Sequence, residues 1–157
     1  MFPKVKKIVT KYNSAERNER YRYQCPVVMR YLENKLRGWN IGVFFEQIQT
    51  EKIALYAVTE FTEYVLRDLR GSDFPVEVRC IGDRNFIRFP QGVCQTEVVS
   101  PNEVLRRYQS GEIEKIMICS LFHENAVFED FMNQGVRQED LLSVTSAIFS
   151  FDIFNEE

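Results

Sequence analysis

A chain of 157 residues with 45% hydrophobic and 27% charged residues has the make-up of one folded α/β-sized domain and excludes a disordered or low-complexity protein. No apolar run approaches the ~20 residues of a membrane span, and the basic start MFPKVKKIVTKYN lacks the apolar stretch of a secretory signal, so the expected location is cytoplasmic. The net charge of −3 is unevenly spread: residues 1–38 carry ten Lys and Arg against three Glu, +7, which leaves −10 for the rest of the chain.

In chain order, residues 14–37 are expected to be helical, with Pro26 starting or kinking a helix. Val28, Tyr31, Leu32, Lys35 and Leu36 form its stripe, and Gly38 ends it. Ile41, Phe44, Phe45 and Ile48 repeat at helical spacing as far as Thr50. The run KIALYAV, 52–58, predicts a buried strand, and Thr59 is placed to cap a helix whose apolar face is Phe61, Val65, Leu66 and Leu69, with Gly71 as its stop. Val76 to Ile81 reads as a second strand. Short strands are expected at Phe86 to Phe89 and at Val93 to Val99.

Ser100-Pro101-Asn102-Glu103 is a helix start, with Ser as cap, Pro in the first position and Glu returning the capping-box bond. EKIMICSLF, 114–122, predicts the next buried strand, Asn125 to Asn133 a helix, and LLSVTSAIF, 141–149, a last strand. Strands alternating with helices predict a parallel sheet with helices on both faces, a Rossmann-like α/β fold. The expected division is a basic helical extension over 1–50 and the α/β unit over 51–157.

Cys25, Cys80, Cys94 and Cys119 are far apart, with no C-x-x-C pair, and His123 is the single histidine. A zinc or His-based metal site is therefore not expected, and reduced, buried thiols are. The basic, tyrosine-bearing start suits neutralisation against the acidic body of its own or a partner subunit, single-stranded nucleic acid, or an anionic membrane surface. The first is preferred, because no RNP, zinc-finger or helix-turn-helix signature accompanies the basic residues. A homo-oligomer built through the amino-terminal helices is the matching expectation.

The candidate ligand-contacting residues are Thr59 and Glu60 at the turn after the first strand, Asp83 after the second, and Ser120 and His123 after the fourth. These are the carboxyl ends where open α/β sheets place ligands. Cys119 with His123 as base is the reading that would make the site catalytic. Against it, Cys119 continues an apolar strand, so no catalytic residue is assigned.

The stretches YAVTEFT (56–62), IGDRN (81–85), VVSPNEVL (98–105), EKIMICS (114–120) and NQGVRQEDLLSV (133–144) resemble, over roughly residues 50–147, the Rossmann-like domain of bacterial surface-polysaccharide and nucleotide-sugar biosynthesis proteins. That domain is found before sugar O-acyltransferases and nucleotide-sugar dehydratases or epimerases. The resemblance implies a nucleotide-sugar ligand or a polysaccharide-biosynthesis partner, and at Asp83 a ribose-binding acid, against its plain reading as the acid of a Gly-Asp-Arg-Asn turn.

Where the family turn reads YGAGExG, this chain has Ala57, Thr59 and Thr62 in the glycine positions. Those glycines allow the tight turn, the approach of phosphate to backbone and close helix–strand packing. Glu60 further sets a negative charge at a helix amino terminus. The expectation is a non-catalytic binding or interaction module with impaired dinucleotide binding. The alternatives are a nucleotide-sugar-modifying enzyme with an atypical phosphate loop and a nucleic-acid-binding protein using the basic arm. No cofactor is specified by the residues.

Overall fold

The computed structural model describes residues 15–155; the expectations for residues 1–14 lie outside them. The elements in order are α1 (Ala15–Leu36), α2 (Gly42–Gln47), β1 (Lys52–Tyr56), α3 (Glu60–Arg70), β2 (Glu77–Gly82), β3 (Val98–Val99), α4 (Pro101–Gln109), β4 (Lys115–Ile118), α5 (Glu124–Asn133), β5 (Leu141–Ser143) and α6 (Val144–Asn155). Every strand pairing is parallel, in the order β3-β2-β1-β4-β5. The Rossmann-like α/β expectation describes this architecture, including the helix that precedes the sheet.

Strand alternation divides the core into two layers. Ile53, Leu55, Ile81, Met117 and Cys119 join one buried cluster with Val27 of α1, Phe45 of α2, Phe61 and Val65 of α3 and Ala147 and Ile148 of α6. Ala54, Tyr56, Cys80, Ile116 and Ile118 face the other, with Val104 of α4 and Val127 and Phe131 of α5. A sheet covered on both faces needs strands without polar interruptions, and the sequence of β1 and β4 supplies them. Each fully buried Ile, Leu or Phe contributes about 1.5–3 kcal/mol. Gly82 ends β2 where a Cβ would lie 2.6 Å from Val104 Cγ2 and 2.7 Å from Tyr56 Cδ2, so the close packing there requires glycine.

Three expected elements differ. LLSVTSAIF is strand only over Leu141–Ser143, because β4 ends at Ile118, the partner of Ser143, and no neighbour remains to pair with. Beyond it Val144, Ala147 and Ile148 bury one helical face, and Ser143 Oγ accepts the Ser146 amide at 3.2 Å as the cap of α6. Phe86–Arg88 is a 3₁₀ turn, closed by Arg88 N to Asn85 O at 2.9 Å. Of Val93 to Val99 only Val98–Val99 pairs in the sheet, since Val93 and Thr96 close a tight turn through Cys94 and Gln95, whose φ values are 48° and 67°.

At α4 the cap is half of the expected box. Ser100 Oγ accepts the Glu103 amide at 3.2 Å, but the Glu103 carboxylate turns to Arg106 (2.8 Å) and Arg107 (2.9 Å). Their hydrogen bonds hold Glu103 down to about 2. Of the cysteines, Cys80 and Cys119 are buried, Cys94 is half-buried and Cys25 is exposed.

The amino-terminal helices are fixed to the sheet layer by Asp68 of α3, only 5% exposed. Its carboxylate accepts the Tyr31 hydroxyl at 2.9 Å, Lys35 Nζ at 2.8 Å and the Ile41 amide at 3.2 Å, and its carbonyl accepts Asn40 Nδ2 at 2.7 Å. Asn34, fully buried, adds a bond from Nδ2 to the Ile148 carbonyl at 2.7 Å. Asp68→Ala removes one acceptor from three donors at about 1 kcal/mol each. The expected loss is about 3 kcal/mol, read as a fall of roughly 6–12 °C in the melting temperature, whereas Asp73→Ala on the exposed loop leaves it unchanged.

Candidate functional site

The chain leaves β1 toward β2 and β3 on one side and returns to β4 and β5 on the other. The carboxyl ends of β1 and β4 therefore border the crevice where such a sheet opens to a ligand. The turn from β1 into α3, Ala57 to Thr59, forms its floor. Ala57 adopts φ +72°, the left-handed conformation that glycine takes without cost, so the backbone keeps the tight turn although the side chain is alanine.

The hydrogen bonds of this turn are made inside the protein. Ala57 N donates to Gly82 O at 2.8 Å, Val58 N to Asp83 Oδ2 at 2.8 Å and Thr59 N to Thr62 Oγ1 at 3.0 Å. The Thr62 hydroxyl, fully buried, donates onward to Ala57 O at 2.6 Å. The Thr59 hydroxyl crosses to β4 and donates to Cys119 O at 2.9 Å. Three successive amides of the turn thus have protein acceptors. Thr62 braces the turn, linking the Thr59 amide to the Ala57 carbonyl. Glu60, exposed, occupies the first position of α3.

Asp83 holds both sides of this corner. While Oδ2 takes the Val58 amide, Oδ1 accepts Asn85 N at 2.7 Å, the bond of an aspartate turn. Ser120 and His123 stand at the centre of the crevice and face two hollows. One, about 340 Å³, brings Thr59, Glu60, Ser120 and His123 together with Tyr21 and Gln24 of α1. The other, about 270 Å³, adds Asp83, Arg84 and Asn85 on the far side of the same two residues. The five residues picked from the sequence therefore border two hollows that share Ser120 and His123, four in the first and three in the second.

Cys119 has no accessible surface, and burial pushes its thiol up to about 12, opposed only weakly by hydrogen bonding from Thr62 and the Tyr56 backbone. A thiol in that state holds its proton at neutral pH and is a poor nucleophile. His123 is exposed at the cap position of α5, makes no capping bond, and sets its ring edge-on to Phe122 at 5.5 Å. Asp130 is held by Arg84 at 2.8 Å. Tyr56 lies under the second hollow against Phe131, with ring centroids 5.0 Å apart, and burial raises its hydroxyl pKa while Arg84 opposes the shift. Among the described residues no three His, Cys, Asp or Glu stand where they would hold a metal ion.

Sequence reasoning did not find Tyr21 and Gln24. They come from a helix about forty residues before the turn they face, and no local pattern announces a contact made by docking of α1. Arg84 was visible only as part of a loop.

No family model matches the chain, and no curated protein is similar to it in sequence. Among solved structures, the crystal structure of UDP-D-quinovosamine 4-dehydrogenase from Vibrio fischeri superposes with a TM-score of 0.49 at 11% identity, over 65% of this chain and 86% of that one.

Two outcomes test the corner. Ala57→Gly removes the left-handed strain and should stabilise the protein by about 1 kcal/mol, seen as a rise of roughly 2–4 °C in melting temperature. Under alkylation near pH 8 followed by peptide mass analysis, Cys119 and Cys80, whose thiol burial raises to about 11, should stay unmodified until denaturant is added.

Proposed function

We propose that this chain is a non-catalytic, Rossmann-like binding or interaction module serving bacterial surface-polysaccharide synthesis in the cytoplasm, in which the β1–α3 turn has given up dinucleotide binding. The pathway rests on the resemblance of residues 50–147. The observation that carries the loss of dinucleotide binding is the internal engagement of the Ala57, Val58 and Thr59 amides.

The magnitudes support that order of importance. Turning Val58 N and Thr59 N toward a phosphate would leave Asp83 and Thr62 without their donors, at about 1–3 kcal/mol each where the group is buried. Repulsion from exposed Glu60 at ~4 Å adds about 1 kcal/mol at the dielectric of water. The lost bonds are thus the larger obstacle, and the charge is secondary. The buried, protonated Cys119 supports a site without a nucleophile.

On this reading Gln24, Ser120 and His123 contact the ligand. It is a nucleotide sugar gripped away from its pyrophosphate, or a segment of a partner protein of the same synthesis. The experiment is thermal unfolding against NAD, NADP, coenzyme A, nucleoside diphosphates and nucleotide sugars. A ligand at 100 times its dissociation constant adds ~2.7 kcal/mol, a rise of roughly 5–10 °C. Dinucleotides are expected to give no shift. A dinucleotide shift of that size, abolished by Thr59→Arg at the turn, would overturn the proposal.

A further inference from the structure

The second hollow, about 270 Å³, has an excess of hydrogen-bond donors over acceptors. Arg84, the one Lys or Arg that lines it, offers donors only. Asn85, Ser120 and His123 both donate and accept, and their side chains make no hydrogen bond among the described residues. Asp83, its one acid, already accepts the Val58 amide on Oδ2 at 2.8 Å and the Asn85 amide on Oδ1 at 2.7 Å. Arg84 donates through a single nitrogen to Asp130 Oδ2 at 2.8 Å, but Asp130 stands outside this hollow, in a neighbouring one of about 200 Å³ that Arg84 also borders. Both side chains of that pair are exposed, 71% and 54%, so the pair contributes little, and opening it leaves no buried charge behind. Ala126, Val127 and the Tyr56 ring supply a small apolar wall.

Resting on the proposed reading that the crevice holds a nucleotide sugar away from its pyrophosphate, we propose that this hollow takes the sugar and that the sugar is an acid. Its carboxylate draws Arg84 from Asp130, and its hydroxyls meet Asn85, Ser120 and His123. A guanidinium fork sets two parallel N–H bonds on the two oxygens of a carboxylate, and such charge-assisted bonds are roughly twice as strong as neutral ones. A ligand carboxylate held by both prongs therefore displaces Asp130, which is held by one. One Arg matches the single charge of a carboxylate, whereas the nearly double charge of a phosphate monoester would leave the hollow strongly negative beside Asp83. Sugar hydroxyls donate and accept as Asn85, Ser120 and His123 do. A purely apolar acid would cover those three side chains without giving them partners.

His123 is the only histidine of the chain, so its imidazole proton resonance reports on this hollow alone. The full chain is titrated at fixed pH and ionic strength with D-glucuronate, D-galacturonate, their neutral hexoses D-glucose and D-galactose, and inorganic phosphate. At least one uronate is expected to move the resonance saturably, with an affinity tenfold or more above its hexose and above phosphate. Arg84→Gln, at an exposed position, should leave the far-ultraviolet circular dichroism unchanged and remove that advantage. Asp130→Asn, which takes away the competing carboxylate, should tighten the uronate about two- to fivefold. Uronates no tighter than their hexoses, phosphate as tight as the uronate, an advantage that survives Arg84→Gln, or weaker binding in Asp130→Asn would each overturn the proposal. If the uronates fail while UDP-glucose still moves the resonance, the sugar acid is excluded and the crevice reading stands. A resonance moved by NAD and by none of the sugars would overturn both.

Discussion

Asp68 is a carboxylate set where water scarcely reaches it, and a lone buried charge would be costly enough to unfold the region around it. It is stable there because α1 brings Tyr31 and Lys35 to it and the chain entering α2 brings the Ile41 amide. The dependence is mutual. Burial first, and then the charge of Asp68, raise the pKa of the Tyr31 hydroxyl and keep it a donor. Stacking of Tyr31 on Tyr64, with centroids 5.3 Å apart, fixes the ring from the α3 side. Once α1 is fixed, two consequences follow from its geometry. Its first turns reach over the crevice with Tyr21 and Gln24, and its far face turns Met29, Leu32 and Leu36 to solvent.

The turn after β1 shows how a tight corner with a left-handed residue can be held without glycine. The first position keeps its left-handed backbone with Ala57, at a strain of about 1 kcal/mol. The other two acquire hydroxyls, and each is used: Thr62 links Ala57 O to Thr59 N, while Thr59 joins the turn to the end of β4. Asp83 closes the arrangement from β2 by taking the Val58 amide. Bonds within the protein hold the same backbone path that an anion would otherwise help to hold. The corner is therefore ordered before any ligand arrives, and a ligand would need to displace these bonds to use the amides.

Much of the fold was legible because its signals are local. The apolar runs of β1 and β4, the Ser100-Pro101 helix start and the glycines after the helices gave the alternating order and hence the parallel sheet. What escaped was decided at a distance. LLSVTSAIF has a β-rich composition, and only the end of β4 at Ile118 makes it turn to helix after Ser143. The segment 86–96 looks strand-like but pairs with no strand of the sheet and is folded into turns. Asp83 was picked out from its place after β2, yet its bond to Val58 could not be read from spacing. The Tyr21 and Gln24 wall depends on the docking of α1 through Asp68, Asn34 and Val27.

The two helices that point their amino termini at the crevice, α3 and α5, both begin with glutamate, Glu60 and Glu124. A helix amino terminus attracts an anion by about 0.3–1 kcal/mol at an exposed site, and a carboxylate in the first turn takes up that attraction. The Ala57, Val58 and Thr59 amides of the turn are engaged within the chain as well. Among the described residues, further polar groups lining the crevice are of another kind: the Ser120 hydroxyl, the Gln24 amide and the His123 ring packed on Phe122. Their chemistry matches hydroxyl, amide and ring groups, and the proposal of a binding module rests on what these groups offer.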